Sequence, residues 1–344
     1  MVDLTPFKVG IENAKKQVIA NSDDPRESFR IELLNAGLKI TGAIQLNVLV
    51  RLADSVDKAG KQSGWYIYSE HHNQDSVLGV GVYGSWHETP PKTVWTSKSL
   101  NSMSTAERLK YHEQLERSAK LREAEQVQLQ EAAAKKCLHI WEKASDATNN
   151  AYLQRKQVKA FDYIKESKGN LIVPITFNDT ITSLQFIEPE GAKHFKKHGK
   201  IKGCYYKIAG KPELIYVAEG YSTGASIAMA TGATVYIAFN AGNIYEVTSK
   251  IKTENLNSEI VIAGDDDSKN QVNTGKLKAT QAGEALQCEV IFPPVGYKDF
   301  NDFHVAEGLD KLADYLQVKP IAEISSDSAI SPSKTHYDYI QPTG

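Results

Sequence analysis

Two apolar runs in this chain end in carboxylates, and their residue types set out one chemistry. Leu214-Ile215-Tyr216-Val217-Ala218 leads into Glu219-Gly220, and Glu259-Ile260-Val261-Ile262-Ala263-Gly264 leads into Asp265-Asp266-Asp267. Each run is short and rich in β-branched residues, the pattern of a buried parallel strand that delivers acids to one edge of a sheet. Ligands collect at the C-terminal edge of open α/β sheets. Carboxylates converging there suit hard divalent cations, Mg2+ or Mn2+, through oxygen ligands. Asp265 and Asp267 alternate along an extended segment and so point to one side, with Asp266 facing away or toward the next loop. Glu219, Asp265 and Asp267 are therefore the expected catalytic and metal-binding residues, with Glu219 either a ligand or a general base. Asp299, in Lys298-Asp299-Phe300-Asn301-Asp302, extends the ligand set, while Asp302 reads as the cap of a helix over Val305–Leu316.

The elements that must position these acids are legible around them. Four strand candidates, Leu214–Ala218, Thr234–Phe239, Ile260–Ala263 and Glu289–Phe292, alternate with helical stretches Ser222–Ala230, Ile244–Ile251 and Gly275–Leu286. Such alternation predicts a four-stranded parallel sheet flanked by helices, a Rossmann-like α/β layer. Gly220, Gly224 and Gly242 in the strand-to-helix turns leave space for a phosphate or metal against the backbone. Asn240 and Asn243 either orient a nucleotide or cap the second helix. No GxGxxG follows the first strand and no GxxxxGK[ST] occurs, which disfavours a dinucleotide site and a P-loop ATPase. Immediately upstream, Ala192 to Lys207 carries Lys193, Lys196, Lys197, Lys200, Lys202 and Lys207 with no acid. A lysine run is usually a solvated face. Beside an acidic edge it reads as a contact for phosphates, and Arg155 and Lys156 join the same expectation.

Further upstream the period changes several times. Residues 1 to about 60 read as helical, with Asp23 or Asp24 capping a helix at Pro25 and a second apolar stretch over Ile44–Val56. From Gly64 a small meander follows, and with the preceding helix it forms an α+β domain over residues 1–100. Its tryptophans are core residues on the plain reading; on the sharper one Trp65 and Trp86 are a stacking platform for bases. Ser104-Thr105-Ala106-Glu107 has the capping-box pattern and opens a long polar helix, a solvated linker over 101–145. Residues 146–212 form a second α+β region with a hairpin turning at Asn178-Asp179 and ending in the basic stretch. The sheet with the acids occupies 213–295, a turn and helix follow over 296–320, and the Ser-, Pro- and Asp-rich residues 321–344 read as a disordered tail.

Composition narrows the classes. A chain of 344 residues holds two or three domains. Its formal charge of −2 puts any nucleic-acid contact in local patches rather than in bulk attraction. Three cysteines with no CxxC argue against zinc and against a disulfide framework, and fit a reducing cytoplasm. No apolar run of signal-peptide or membrane-span character occurs, so a cytoplasmic protein without membrane partners is expected.

An acid-Gly after one strand and an Asp-x-Asp after a later one resemble the TOPRIM domain of primases, topoisomerases and some nucleases. The longer wording YVAEGYSTGASIAMATG, VIAGDDDSKNQVNTGKLKA and KDFNDFH, with SGWYIYSE, LIVPI and SLQFIEPEGAKHFKKHGKIKGCYY upstream, is similar to TOPRIM-containing primases of phages, plasmids and mobile elements. The resemblance covers roughly residues 60 to 305. It implies a TOPRIM fold behind an α+β primase subdomain, and a polymerase of short RNA primers. Its partners would be single-stranded DNA, ribonucleoside triphosphates and a replicative helicase. Glu219 matches the TOPRIM acid, and Asp265 and Asp267 its Asp-x-Asp. The zinc module and the helicase motifs that many members carry are not in this sequence. A TOPRIM nuclease and a non-catalytic single-strand-binding module are the alternatives.

Overall fold

A computed structural model describes residues 24–73, 76–85, 92–266 and 273–316. The expectations for the N-terminal residues before Asp24, for Trp86, for Asp267 and for the tail lie outside them. The chain divides into two compact units at Val127/Gln128, inside a long helix.

The first unit opens with α1 (Pro25–Asn35). Asp24 is its N-cap, accepting from the Arg26 amide at 2.9 Å, and Pro25 fills the first turn. Phe29 and Leu33 bury one face. Strands β1 (Leu38–Lys39), β2 (Leu49–Asp54), β3 (Gly64–His72), β4 (Val77–Ser85) and β5 (Thr93–Thr96) then form an antiparallel meander in chain order. Residues 24–60 are thus not helical throughout. Val50 and Leu52 on β2 turn into the core with period two, and that alternation wins over the helical spacing across Ile44–Val56. Gly81 in β4 is required, since a Cβ there would stand 2.1 Å from the Phe29 ring. Helix α2 (Thr105–Glu142) starts in the expected capping box: the Glu107 carboxylate accepts from the Ser104 amide at 2.9 Å. In return the Glu107 amide donates to Ser104 Oγ at 3.3 Å.

The second unit contains two sheets. The first is antiparallel, in the order β10-β9-β8-β7-β6, built from β6 (Ser145–Asp146), β7 (Lys165–Ser167), β8 (Asn170–Phe177), β9 (Thr180–Ile187) and β10 (Lys193–Phe195). A short helix, α3 (Ala151–Arg155), lies between β6 and β7. Asn178 and Asp179 turn the β8–β9 hairpin with φ of 47° and 60°, the left-handed pair of a type I′ turn. The second sheet has the order β11-β13-β12-β14-β15. Strands β12 (Lys211–Ala218), β13 (Ala233–Ile237), β14 (Glu259–Ala263) and β15 (Glu289–Ile291) are parallel, as expected. The edge strand β11 (Tyr206–Ile208) joins them antiparallel to β13.

Helices cover both faces of this sheet. Tyr216, Ala218, Val235, Ile237 and Ala263 pack toward α4 (Tyr221–Thr231), α7 (Phe300–Glu307) and α8 (Leu309–Tyr315). Ile215, Val217, Tyr236 and Ile262 pack toward α5 (Ile244–Glu254) and α6 (Thr274–Leu286). Both sides of each strand are apolar, the signature of a doubly covered parallel sheet. The single helix expected over Val305–Leu316 is two, because Gly308 takes a φ of 94° between α7 and α8.

Candidate metal and nucleic-acid site

The register of the parallel sheet brings the two acid turns together. Ala218 at the end of β12 pairs with Ala263 at the end of β14. Glu219 and, after Gly264, Asp265 therefore leave the same edge of adjacent strands. Gly264 permits the approach: its amide donates to the Ile291 carbonyl at 2.9 Å, and a Cβ there would stand 2.5 Å from the Phe292 ring. Gly275 lets the first turn of α6 close on Asp265, since its Cβ would meet the Asp265 carbonyl oxygen at 3.1 Å. The Asp266 amide donates to the Lys298 carbonyl at 2.7 Å, which ties this loop to the turn carrying Asp299. The Asp266 side chain turns to the start of α6. It accepts from Asn273 Nδ2 at 2.7 Å and pairs with Lys276 Nζ at 3.3 Å.

Asp299, not Asp302, is the helix cap. Its extended backbone places the carboxylate to accept from the Asp302 amide at 2.8 Å, a job that only the residue before the first turn can do. Asp302 instead pairs with Lys156 Nζ at 3.2 Å. Burial, followed by the charge of Asp302, pushes the Asp299 carboxyl above the ordinary carboxylate range, against the pull of Lys156 and Lys193. Among the described residues no three His, Cys, Asp or Glu side chains lie close enough to hold a metal. Glu219, Asp265 and Asp299 nonetheless supply only hard oxygen donors, the donor type that Mg2+ or Mn2+ takes.

The basic residues divide into two groups. Lys193, exposed on β10, reaches the acid turn: its Nζ lies 3.2 Å from where a Cβ on Gly220 would be. Lys156 stands beside the Asp299 turn. Lys200 turns elsewhere, its Nζ 3.9 Å from the centroid of the Phe177 ring, which Lys250 shares at 4.8 Å. Lys202 pairs with Glu246 of α5 at 2.9 Å. Arg155 donates to the Pro189 carbonyl at 2.9 Å and lies over Tyr152, so its guanidinium is engaged locally. Lys197 is exposed and Lys196 half-buried. Trp65 is only 6% exposed and Arg122 lies over its ring at 5.1 Å, so it is a core residue without an open stacking face.

Two small-residue expectations change meaning. Gly224 serves packing rather than ligand approach, because a Cβ there would stand 2.1 Å from Ile237 Cδ1. Asn243 neither caps a helix with its side chain nor faces a ligand; it is 3% exposed. Its Nδ2 donates to the carbonyls of Ile201, Cys204 and Ala238 at 3.1, 2.9 and 2.9 Å. Its Oδ1 accepts from the Gly203 amide at 2.8 Å. Asn243 thus bolts the end of the lysine-rich loop to the end of β13, a role with no signal in the sequence. Asn240, half-buried, makes no side-chain cap bond either. It follows Phe239, whose φ of 71° is rare for an aromatic residue, and such strain gathers at functional edges.

Residues 214–310, which carry this acid-tipped, helix-covered parallel sheet, match the Toprim domain. Over most of its length the chain is also similar to two Escherichia coli proteins described as DNA primase TraC. One is 27% identical over 288 residues, 78% of this chain and 26% of the relative. The other is 26% identical over 293 residues, 78% of this chain and 19% of the relative. The chain thus spans about a quarter or less of the length of these curated relatives. A solved structure, the DnaG primase catalytic domain bound to ssDNA, aligns with a TM-score of 0.41 at 11% identity, over 57% of this chain and 81% of that one. The resemblance to TOPRIM-containing primases read from the sequence is borne out by the domain match and by the relatives.

Proposed function

We propose that this chain is a DNA primase of the mobile-element type, a nucleotidyltransferase that makes short RNA primers on single-stranded DNA. One observation carries the reading: the β12–β14 register brings the turns of Glu219 and Asp265 to one sheet edge, with the Lys193 amino group at the Glu219-Gly220 turn. The names of the relatives support the choice of primer synthesis over other reactions on this fold.

Glu219, Asp265, Asp267 and Asp299 would hold the divalent cation. When bound, Mg2+ or Mn2+ supplies Lewis acidity that lowers the pKa of a 3′-hydroxyl and offsets the charge of the leaving pyrophosphate. The carboxylates fix where the reacting oxygens stand. Lys193 and Lys156 bring positive charge to that edge and bind the triphosphate of the incoming ribonucleotide, while Lys196 and Lys197 track the template backbone. Gly220, without a side chain, leaves the turn open to phosphate. A replicative helicase is a further proposed partner, and the cytoplasm the proposed location. Among the described residues no helix is long and apolar enough to cross a membrane.

The test uses single-stranded DNA, the four ribonucleoside triphosphates and Mg2+ or Mn2+. New short RNA made by the wild type and lost in Asp265→Ala supports the proposal. Template loss without synthesis would assign a nuclease, and binding with neither activity would sink both enzymatic readings.

A further inference from the structure

Beneath the acid-bearing edge runs a buried polar chain that the proposed chemistry does not use. Asn301 in α7, Ser226 in α4 and His304 in α7 are all buried. Asn301 Nδ2 donates to the Lys156 carbonyl at 2.8 Å and to Ser226 Oγ at 2.9 Å. Ser226 Oγ lies 3.0 Å from Nδ1 of His304. The directions follow from the donor inventory. A carbonyl only accepts, so the amide nitrogen of Asn301 must face Lys156. Ser226 Oγ, accepting from Asn301, keeps its proton and a second lone pair for His304 Nδ1, so the bond forms with either tautomer of the ring. Burial disfavours the charged ring. Asn301 Oδ1, meanwhile, has no hydrogen-bond partner among the described residues.

Each element joined here carries a group of the acid edge at its end. Helix α4 begins directly after Glu219-Gly220, α7 begins at its cap Asp299, and Lys156 closes α3 and pairs with Asp302. Apolar packing would hold these helices together without defining their spacing. Directional bonds allow one spacing, and a buried acceptor left unpaired is a cost that stability alone does not explain.

We propose that Asn301, Ser226 and His304 form a positioning network that sets the separation of the Glu219 and Asp299 turns, and with it the fit of a divalent cation between their carboxylates. The proposal rests on the metal-centre reading above. Groups behind metal ligands typically change metal affinity by ten- to a hundredfold when altered.

The test is Mn2+ binding to the full chain, measured by calorimetry without nucleotide or template. Ser226→Ala removes one hydroxyl and leaves little space. It is expected to weaken Mn2+ binding about tenfold. His304→Gln, which keeps a polar group beside Ser226, is a second and milder variant that carries the test should Ser226→Ala fold poorly. Thr231→Ala is the control: it removes a buried hydroxyl at the far end of the same helix, where Oγ1 donates to the Ile227 carbonyl at 2.8 Å. It is expected to lower the thermal midpoint while leaving Mn2+ affinity unchanged. Mn2+ affinity of Ser226→Ala and His304→Gln within twofold of wild type overturns the network's role and leaves the metal centre standing. Absence of Mn2+ binding by the wild type overturns both.

Discussion

Asn243 illustrates how one side chain places a whole binding segment. Its four hydrogen bonds satisfy three carbonyls and one amide around the end of the lysine-rich loop. Asn243→Leu keeps the branched heavy-atom shape and strands all four groups. It is expected to cost on the order of 3 kcal/mol, read as a lower denaturant midpoint, and to weaken single-strand binding as the loop loosens. Unchanged stability would show that water replaces the lost bonds. The two acids after β12 and β14 were legible in the sequence, because a carboxylate that ends a buried apolar run must emerge at the sheet edge, where water or a cation can meet its charge. Asn243 was not. An asparagine before a helix reads as a cap, and only the tertiary placement of Ile201–Cys204 gives it another use. Asp299 and Asp302 failed for a related reason: both lie in the same turn, and only the backbone shows which one faces the free amide.

The capping box of α2 sets the element scale. Lys98 Nζ lies 2.6 Å from Glu107, and that bond, with the Ser104 amide and hydroxyl, holds the Glu107 carboxyl down at about 2. A lowered folded-state pKa means stability that is present above the ordinary carboxylate range and lost as pH falls from there toward about 2. Glu107→Gln is therefore expected to lower the thermal midpoint at neutral pH, with the gap to wild type closing as the solution is acidified. A gap independent of pH would deny the charge its part. This helix start, the Asn178-Asp179 hairpin and the four parallel strands all follow from local chemistry and were readable. The β2 region was misread because its apolar residues satisfy both periods. The antiparallel edge strand β11 escaped notice because its short segment Tyr206–Ile208 sits within the lysine-rich stretch and reads as part of it.

Across the whole molecule the net charge of −2 conceals a local polarity, with acids on the strand ends and lysines on the preceding segment. Attraction for a single strand should then be strongly salt-dependent despite the acidic total. Lys196→Ala/Lys197→Ala is expected to weaken single-strand binding and to flatten its logarithmic salt slope by about 1.4, two contacts at about 0.7 each. A slope equal to wild type would remove these lysines from the interface. Lys200 and Lys202 were expected to join them, yet their engagement with Phe177 and Glu246 shows how a uniform run in sequence fans out in space.

The central claim is that the acids on the β12 and β14 ends catalyse nucleotidyl transfer. It is tested most directly by formation of the first dinucleotide on a single-stranded DNA template under saturating Mn2+, comparing wild type with Glu219→Gln and Asp265→Asn. Both substitutions keep shape and remove one charge. The account predicts synthesis by the wild type and a loss of at least about a hundredfold in each variant, with folding intact. Dinucleotide formation at the wild-type rate in either variant would contradict it.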